Sequence, residues 1–228
     1  MGRFFLNICI FIKLAKSYII HFRAKGWKIK LIDIGGIRSE RRKWIHCFDK
    51  LMAVIFIADL SNYDESDHPI TNSENGLFKN KMLESMALFS TVLSWFQNSD
   101  TILYLNKSDL LIDKIKNSHI KDYIPNYDGP QRDVKAAKIF IKNQFQDIYN
   151  CRHKPDYKGS LFDFTENDIR FLEKCKKSNK CHRTDSHELY THFTCFTETT
   201  PSEPLDKLLG IDLSTMIINE SFRNTFNM

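Results

Sequence analysis

The chain has 228 residues, 42 % of them hydrophobic and 13 % aromatic, with 18 Phe, which is enough apolar material for a real core and excludes wholesale disorder. Its formal net charge is +5, but Lys and Arg are scattered rather than gathered in a block, so the charge gives nucleic-acid binding little support. Six Cys in a chain of this length, with Cys9, Cys47 and Cys195 inside apolar or helical patterns, read as reduced thiols rather than a disulfide framework.

Length allows one large domain or two small ones, and there is no internal repeat. The first twenty residues hold an apolar run from Phe4 to Leu14, broken at Lys13 and too short to span a bilayer. Three readings stay open for it: a targeting segment, a buried strand, or a leader outside the folded unit. Arg3 could begin a signal peptide, but Ala15-Lys16-Ser17 is a poor cleavage site. Gly2 invites myristoylation, yet Leu6 stands where Ser or Thr is wanted.

Trp27 to Ile34 alternates, turns apolar, and ends at Gly35-Gly36, which predicts a strand. Arg38 to Lys43 is polar and helix-like. Ala53 to Ala58 is a continuous apolar run, as for a strand covered on both faces. Asn72 to Phe96 repeats apolar residues at helical spacing through Leu83, Met86, Phe89, Leu93 and Phe96. Thr101 to Leu105 predicts another buried strand, and Asp133 to Tyr149 another helix. Cys151 to Glu188 is rich in Lys, Asp, His and Asn. Its Cys and His lack paired metal-ligand spacing, so it reads as a surface insertion rather than a zinc site. Leu189 to Cys195 predicts a strand, and Pro204 opens a final helix through Leu205, Leu208, Leu209, Leu213, Met216 and Ile217. Strands alternating with helices imply a mostly parallel sheet flanked by helices, with ligands at the strands' carboxyl ends.

Three motifs fall at such ends. Asn106-Lys107-Ser108-Asp109 follows the apolar TILYL. A carboxylate at Asp109 can accept from N1–H and the exocyclic amine of guanine, an arrangement adenine does not offer. The stem of Lys107 could cover the ring face, and the Asn106 amide could tie neighbouring loops; a surface turn would carry the same four letters. Asp33-Ile34-Gly35-Gly36 could hold Mg2+ through Asp33 and bring the Gly36 amide close to a terminal phosphate. A tight strand-to-helix turn explains it equally well. Thr194-Cys195-Phe196-Thr197 offers backbone N–H groups to guanine O6, and taken singly it is weak.

The run from Asp33 through Gly35, Gly36, Ile37, Arg38, Ser39, Glu40, Arg41, Arg42, Lys43, Trp44, Ile45, His46 and Cys47 to Phe48 closely resembles the switch II signature of heterotrimeric G-protein alpha subunits. The resemblance continues through Leu60-Ser61-Asn62-Tyr63-Asp64, the NKSD string and His192-Phe193-Thr194-Cys195. It runs from about His21 to Met228, apart from the 151–188 insertion. It implies a partial Ras-like P-loop NTPase fold after a non-matching leader at 1–20. GTP or GDP and Mg2+ are the implied cofactors. Asn106, Lys107, Asp109, Leu110, Thr194, Cys195 and Phe196 match the guanine site, and Asp33, Gly35 and Gly36 the phosphate and metal site. A beta-gamma dimer is implied at Arg38, Lys43, Trp44, Cys47 and Phe48, and a G-protein-coupled receptor at Phe226, Asn227 and Met228. The implied location is the cytoplasmic face of the plasma membrane. Leu110 to Lys116 and His119 to Tyr123 look most like the class acting on Rho exchange factors, though Thr194-Cys195 is more typical of other classes.

The chain also departs from that family. None of its eight Gly precedes Lys, so the Walker A loop is missing. The first strand, the inserted helical domain and the N-terminal helix are expected to be missing with it. Ile37 replaces the Gln that orients the attacking water. Counted back without gaps from His21-Phe22, the arginine finger falls at Phe11 and the Mg2+-binding Thr at Ala15. The expectation is therefore a transducer-type chain, shortened and without a route to GTP hydrolysis. The alternative is a non-switching module that binds beta-gamma dimers, receptors or effectors.

Overall fold

Among the described residues six strands make one sheet in the order β2-β3-β1-β4-β5-β6. They are β1 (Phe5–Ile12), β2 (Tyr18–Ala24), β3 (Trp27–Gly35), β4 (Leu51–Asp59), β5 (Asp100–Asn106) and β6 (Leu189–Phe193). All neighbours run parallel except β2, which is antiparallel to β3. The computed structural model describes residues 5–12, 18–24, 27–35, 51–66, 80–96, 99–151 and 187–195. The helix-like stretch at 38–43, the insertion at 152–186 and the final helix from Pro204 lie outside these residues.

One expectation is corrected. The sheet is not missing its first strand: β1 sits between β3 and β4, with Cys9 beside Ile32 on one side and Val54 on the other. Residues counted as a leader are thus the centre of the sheet, and the proposed boundary at residue 20 falls inside β2. The physical reason is composition. A short, continuous apolar run is what a strand hydrogen-bonded on both edges and covered on both faces requires. The ungapped count that placed an arginine finger at Phe11 fails for the same reason, because Phe11 lies in the strand, in register with Ile34 and Phe56.

The core lies where β4 and β5 meet two helices, α1 (Lys81–Trp95) and α4 (Val134–Cys151), with the shorter α2 (Ser108–Lys114) and α3 (Ile120–Tyr123) between them in the chain. Asn80 caps α1, its side-chain oxygen accepting from the amides of Met82 and Leu83 at 2.9 and 3.1 Å. Asp133 starts α4 in the same way, accepting from Lys135 and Ala136 at 2.8 and 3.0 Å. Ala137, Ile141, Phe145 and Ile148 then recur at helical spacing on the buried face of α4. Phe56 of β4, Phe89 of α1 and Phe145 of α4 pack edge to face or tilted, with centroids 5.0, 5.3 and 6.4 Å apart. At the amino edge Asp100 accepts from the Glu188 amide at 3.1 Å and faces His187 at 3.2 Å, which pins the start of β6 to β5.

Candidate functional site at the carboxyl edge

The carboxyl ends of β4, β5 and β6 are laced together by polar contacts. The apolar run of β5 stops at Asn106, and the chain turns within one residue into α2 (Ser108–Lys114). That residue is Lys107, with φ 61° and ψ 44°, a left-handed conformation that costs a non-glycine residue about 1–2 kcal/mol. The surroundings hold it there. The Ser108 amide donates to the Thr194 carbonyl at 3.1 Å, and the Thr194 amide donates to the Leu105 carbonyl at 3.0 Å. Thr194 Oγ1 lies 3.2 Å from Asn106 Oδ1. Lys107 Nζ meets Asp59 Oδ2 at 2.5 Å, and Asp59 Oδ1 accepts from the Ser61 amide and hydroxyl at 2.9 and 2.6 Å. A strained backbone fixed by contacts from three strands is what a preorganised ligand site requires.

Asp109 stands in the first turn of α2, where the helix dipole favours negative charge. A hydrogen bond from the Cys195 thiol holds its carboxyl below the ordinary range against the opposing effect of burial, helped by nearby amides and the Lys107 charge. One oxygen, Oδ1, is shielded from water and has no hydrogen-bond partner among the described residues. Leaving such an acceptor unmet is costly, so the geometry suits a ligand that brings N–H groups. Leu110 beside it is 41 % exposed and offers apolar surface.

Asn106, Lys107, Asp109, Leu110, Thr194 and Cys195 are therefore brought together, while Phe196 lies outside the described residues. Reading the sequence alone missed three participants: the Cys195 thiol, Asp59 and Ser61. Asp59 carried a signal, since it is a lone carboxylate closing an apolar strand just as Asp33 does. Behind the site, Lys114 of α2 donates to the Ser61 carbonyl and to Asp64 and Glu65 at 2.8, 2.8 and 2.9 Å. Burial acts to lower the Lys114 pKa, but the two carboxylates outweigh it and raise it.

The phosphate side is different. Asp33 lies at the carboxyl end of β3, in register with Ile10 on one side and Tyr18 on the other; Gly35 is beside Ile12. Gly36 and the segment with Arg38, Lys43, Trp44, Cys47 and Phe48 lie outside the described residues, as do Phe226, Asn227 and Met228. From β3 to β5 is three strand spacings, about 14 Å. Between β1 and β2 only residues 13–17 intervene. A GxxxxGK[ST] loop needs eight residues before its helix even starts, so the connection does not fit a phosphate cradle. The base-reading half of a nucleotide site fits these residues, and the cradle half does not.

The strand order, the single antiparallel edge strand and the NKxD turn define an α/β domain of the Ras-like nucleotide-binding type. A profile of the G-protein alpha subunit matches residues 12–203, well over half of the chain, and the chain belongs to that family. Similar relatives include guanine nucleotide-binding protein subunit alpha-15 of Mus musculus, 39 % identical over 180 residues, covering 78 % of this chain and 41 % of the relative. The Rattus norvegicus counterpart is 38 % identical over the same length. The chain thus spans about two fifths of the length of these curated relatives.

Proposed function

We propose that this chain is a guanine-reading G-protein alpha module that serves as a transducer in G-protein-coupled receptor signalling and does not turn over GTP. The observation that carries this is Asp109, held ionised beside Cys195 with Oδ1 unused where β5 and β6 are tied together. In this reading Asp109 accepts from guanine N1–H and the exocyclic amine. Lys107 and Leu110 pack the ring, Asn106 fixes the turn, and amides from Thr194 to Phe196 meet O6. Asp33, Gly35 and Gly36 are the candidates for Mg2+ and phosphate contact. Turnover is not expected in this reading, because Ile37 stands where the water-orienting Gln is needed and residues 13–17 are too few for a Walker A loop between β1 and β2.

Partners follow from the family resemblance: a beta-gamma dimer at Arg38, Lys43, Trp44, Cys47 and Phe48, a receptor at Phe226, Asn227 and Met228, and a Rho exchange factor as effector. The cytoplasmic face of the plasma membrane is the corresponding location; among the described residues no helix is long and apolar enough to cross a membrane. A non-switching module that only binds these partners is the second reading, favoured by the short β1–β2 connection.

Competition of a fluorescent guanine nucleotide by GTP and by ATP tests the base reading. Guanine binding weaker than micromolar and at least tenfold selective over adenine is expected, since a net hydrogen bond is worth about 0.5–1.5 kcal/mol and charged ones more. Because the folded pKa of Asp109 is lowered, binding that needs the carboxylate stays flat through the ordinary carboxylate range and falls only below it. Equal affinity for ATP, or loss of binding already above pH 5, would overturn the assignment. For the second reading, a pull-down with purified beta-gamma dimer should succeed with wild type and weaken with Trp44→Ala; a folded wild type that fails to bind removes it.

A further inference from the structure

Open α/β sheets bind ligands at the carboxyl ends of the strands, where the chain's connections diverge to opposite sides of the sheet. In the order β2-β3-β1-β4-β5-β6 that point is the carboxyl end of β1, since β3 and β4 flank it on either side. A phosphate-cradling loop belongs directly after this strand, with its amides and the following helix aimed at the ligand. Here β1 leaves the sheet at Ile12, beside Gly35, and the chain re-enters at Tyr18, beside Asp33. Ile12 and Tyr18 stand on opposite sides of β3, two strand spacings or about 10 Å apart. Six steps of chain reach at most about 20 Å, enough to cross the end of β3 but not to form a loop and a helix as well. The central position is filled by the chain's own Phe5–Ile12.

Two spacings away, the described residues of the base-reading cluster come together: the strained Lys107 turn, the Asn106–Thr194 and Lys107–Asp59 contacts, and the unused Asp109 oxygen. We infer that this site recognises the guanine nucleoside and is blind to phosphate: guanosine, its mono-, di- and triphosphates bind alike, and Mg2+ makes no difference. The inference rests on the guanine reading above and deepens it, since it names the ligand as a nucleoside-level group rather than a nucleoside triphosphate. Such a chain would not report whether GTP or GDP is present, so this inference sides with the second, non-switching reading above.

The test is titration of the full chain, followed by NMR chemical-shift changes, with guanosine, GMP, GDP and GTP, each with Mg2+ and with EDTA. About 0.15 M salt screens the formal charge of +5, which would otherwise favour polyanions at distances beyond about 8 Å. Dissociation constants within about threefold of one another are expected, a difference smaller than one net hydrogen bond. Asp109→Asn, checked for folding by circular dichroism, should weaken guanosine at least tenfold, because an amide nitrogen cannot accept. GTP at least tenfold tighter than guanosine, and tighter again with Mg2+, would overturn phosphate blindness while leaving the guanine reading intact. If guanosine binds no better than adenosine, or Asp109→Asn changes nothing, the guanine reading itself falls and takes this inference with it.

Discussion

The two ends of the carboxyl edge are built to different standards. At β5 and β6 a left-handed turn, an edge-to-edge ladder and a carboxylate with a lowered pKa converge within one small region. At β1 and β3 there are strand ends and a five-residue connection, with Gly35 facing Ile12 across the ladder. In a complete nucleotide switch the phosphate end carries most of the charge-assisted contacts and hence most of the affinity. Here the sequence length that such an end needs is absent from inside the sheet. On the reading proposed above, the contrast makes base recognition and phosphate recognition separable pieces of this fold, each with its own structural requirements.

The largest expected effect bears on the claim that β1 belongs to the sheet. Cys9 is paired to Ile32 and Val54, so its backbone is hydrogen-bonding territory on both edges. Proline there removes a ladder donor and brings a ring into a central strand, where proline is essentially never found. Cys9→Pro should abolish cooperative thermal unfolding, a loss comparable to the whole stability of about 5–15 kcal/mol. If the variant melts like wild type, β1 is not central, and the argument about the short connection loses its basis.

The next effect concerns the core. Phe145 is fully buried, with Phe89 and Phe56 at 5.3 and 6.4 Å. Truncation to Ala should cost about 3–5 kcal/mol in chemical denaturation, as large-to-small changes in packed cores do. A loss under about 1 kcal/mol would mean that the core between β4, α1 and α4 is loosely packed.

How far these features could be read from the sequence depends on how local their causes are. The strands β3, β4 and β5 were legible because apolar runs closed by Gly or a carboxylate leave few alternatives, and α1 and α4 because helical spacing repeats over many turns. β1 was not, since an apolar run near a chain start fits a targeting segment, a leader or a strand equally well, and only pairing partners decide among them. Asn106, Lys107 and Asp109 were legible as a string. The Cys195 thiol on Asp109 was not, because that contact joins residues brought together only by the pairing of β5 with β6. Lys114 with Asp64 and Glu65 is a contact across about fifty residues, beyond any local pattern.

The smallest expected change in stability sharpens the comparison most. Lys107 occupies a conformation that glycine adopts freely, so Lys107→Gly relieves about 1–2 kcal/mol of backbone cost. The same change removes the ion pair to Asp59, whose side chains are 48 % and 20 % exposed and whose worth is therefore about 0–1 kcal/mol. Glycine also adds freedom to the unfolded chain, which offsets roughly 0.4–1 kcal/mol of the gain. These terms nearly cancel, and the unfolding midpoint should move by less than about 1 kcal/mol equivalent. Guanosine affinity should nevertheless fall severalfold, because the aliphatic stem that packs against the ring is gone. A natural sequence that keeps a lysine where glycine is equally stable is retaining it for something other than folding. If Lys107→Gly lowers stability by 2 kcal/mol or more and leaves guanosine binding unchanged, the turn is a structural brace, and the base-reading end has been misassigned.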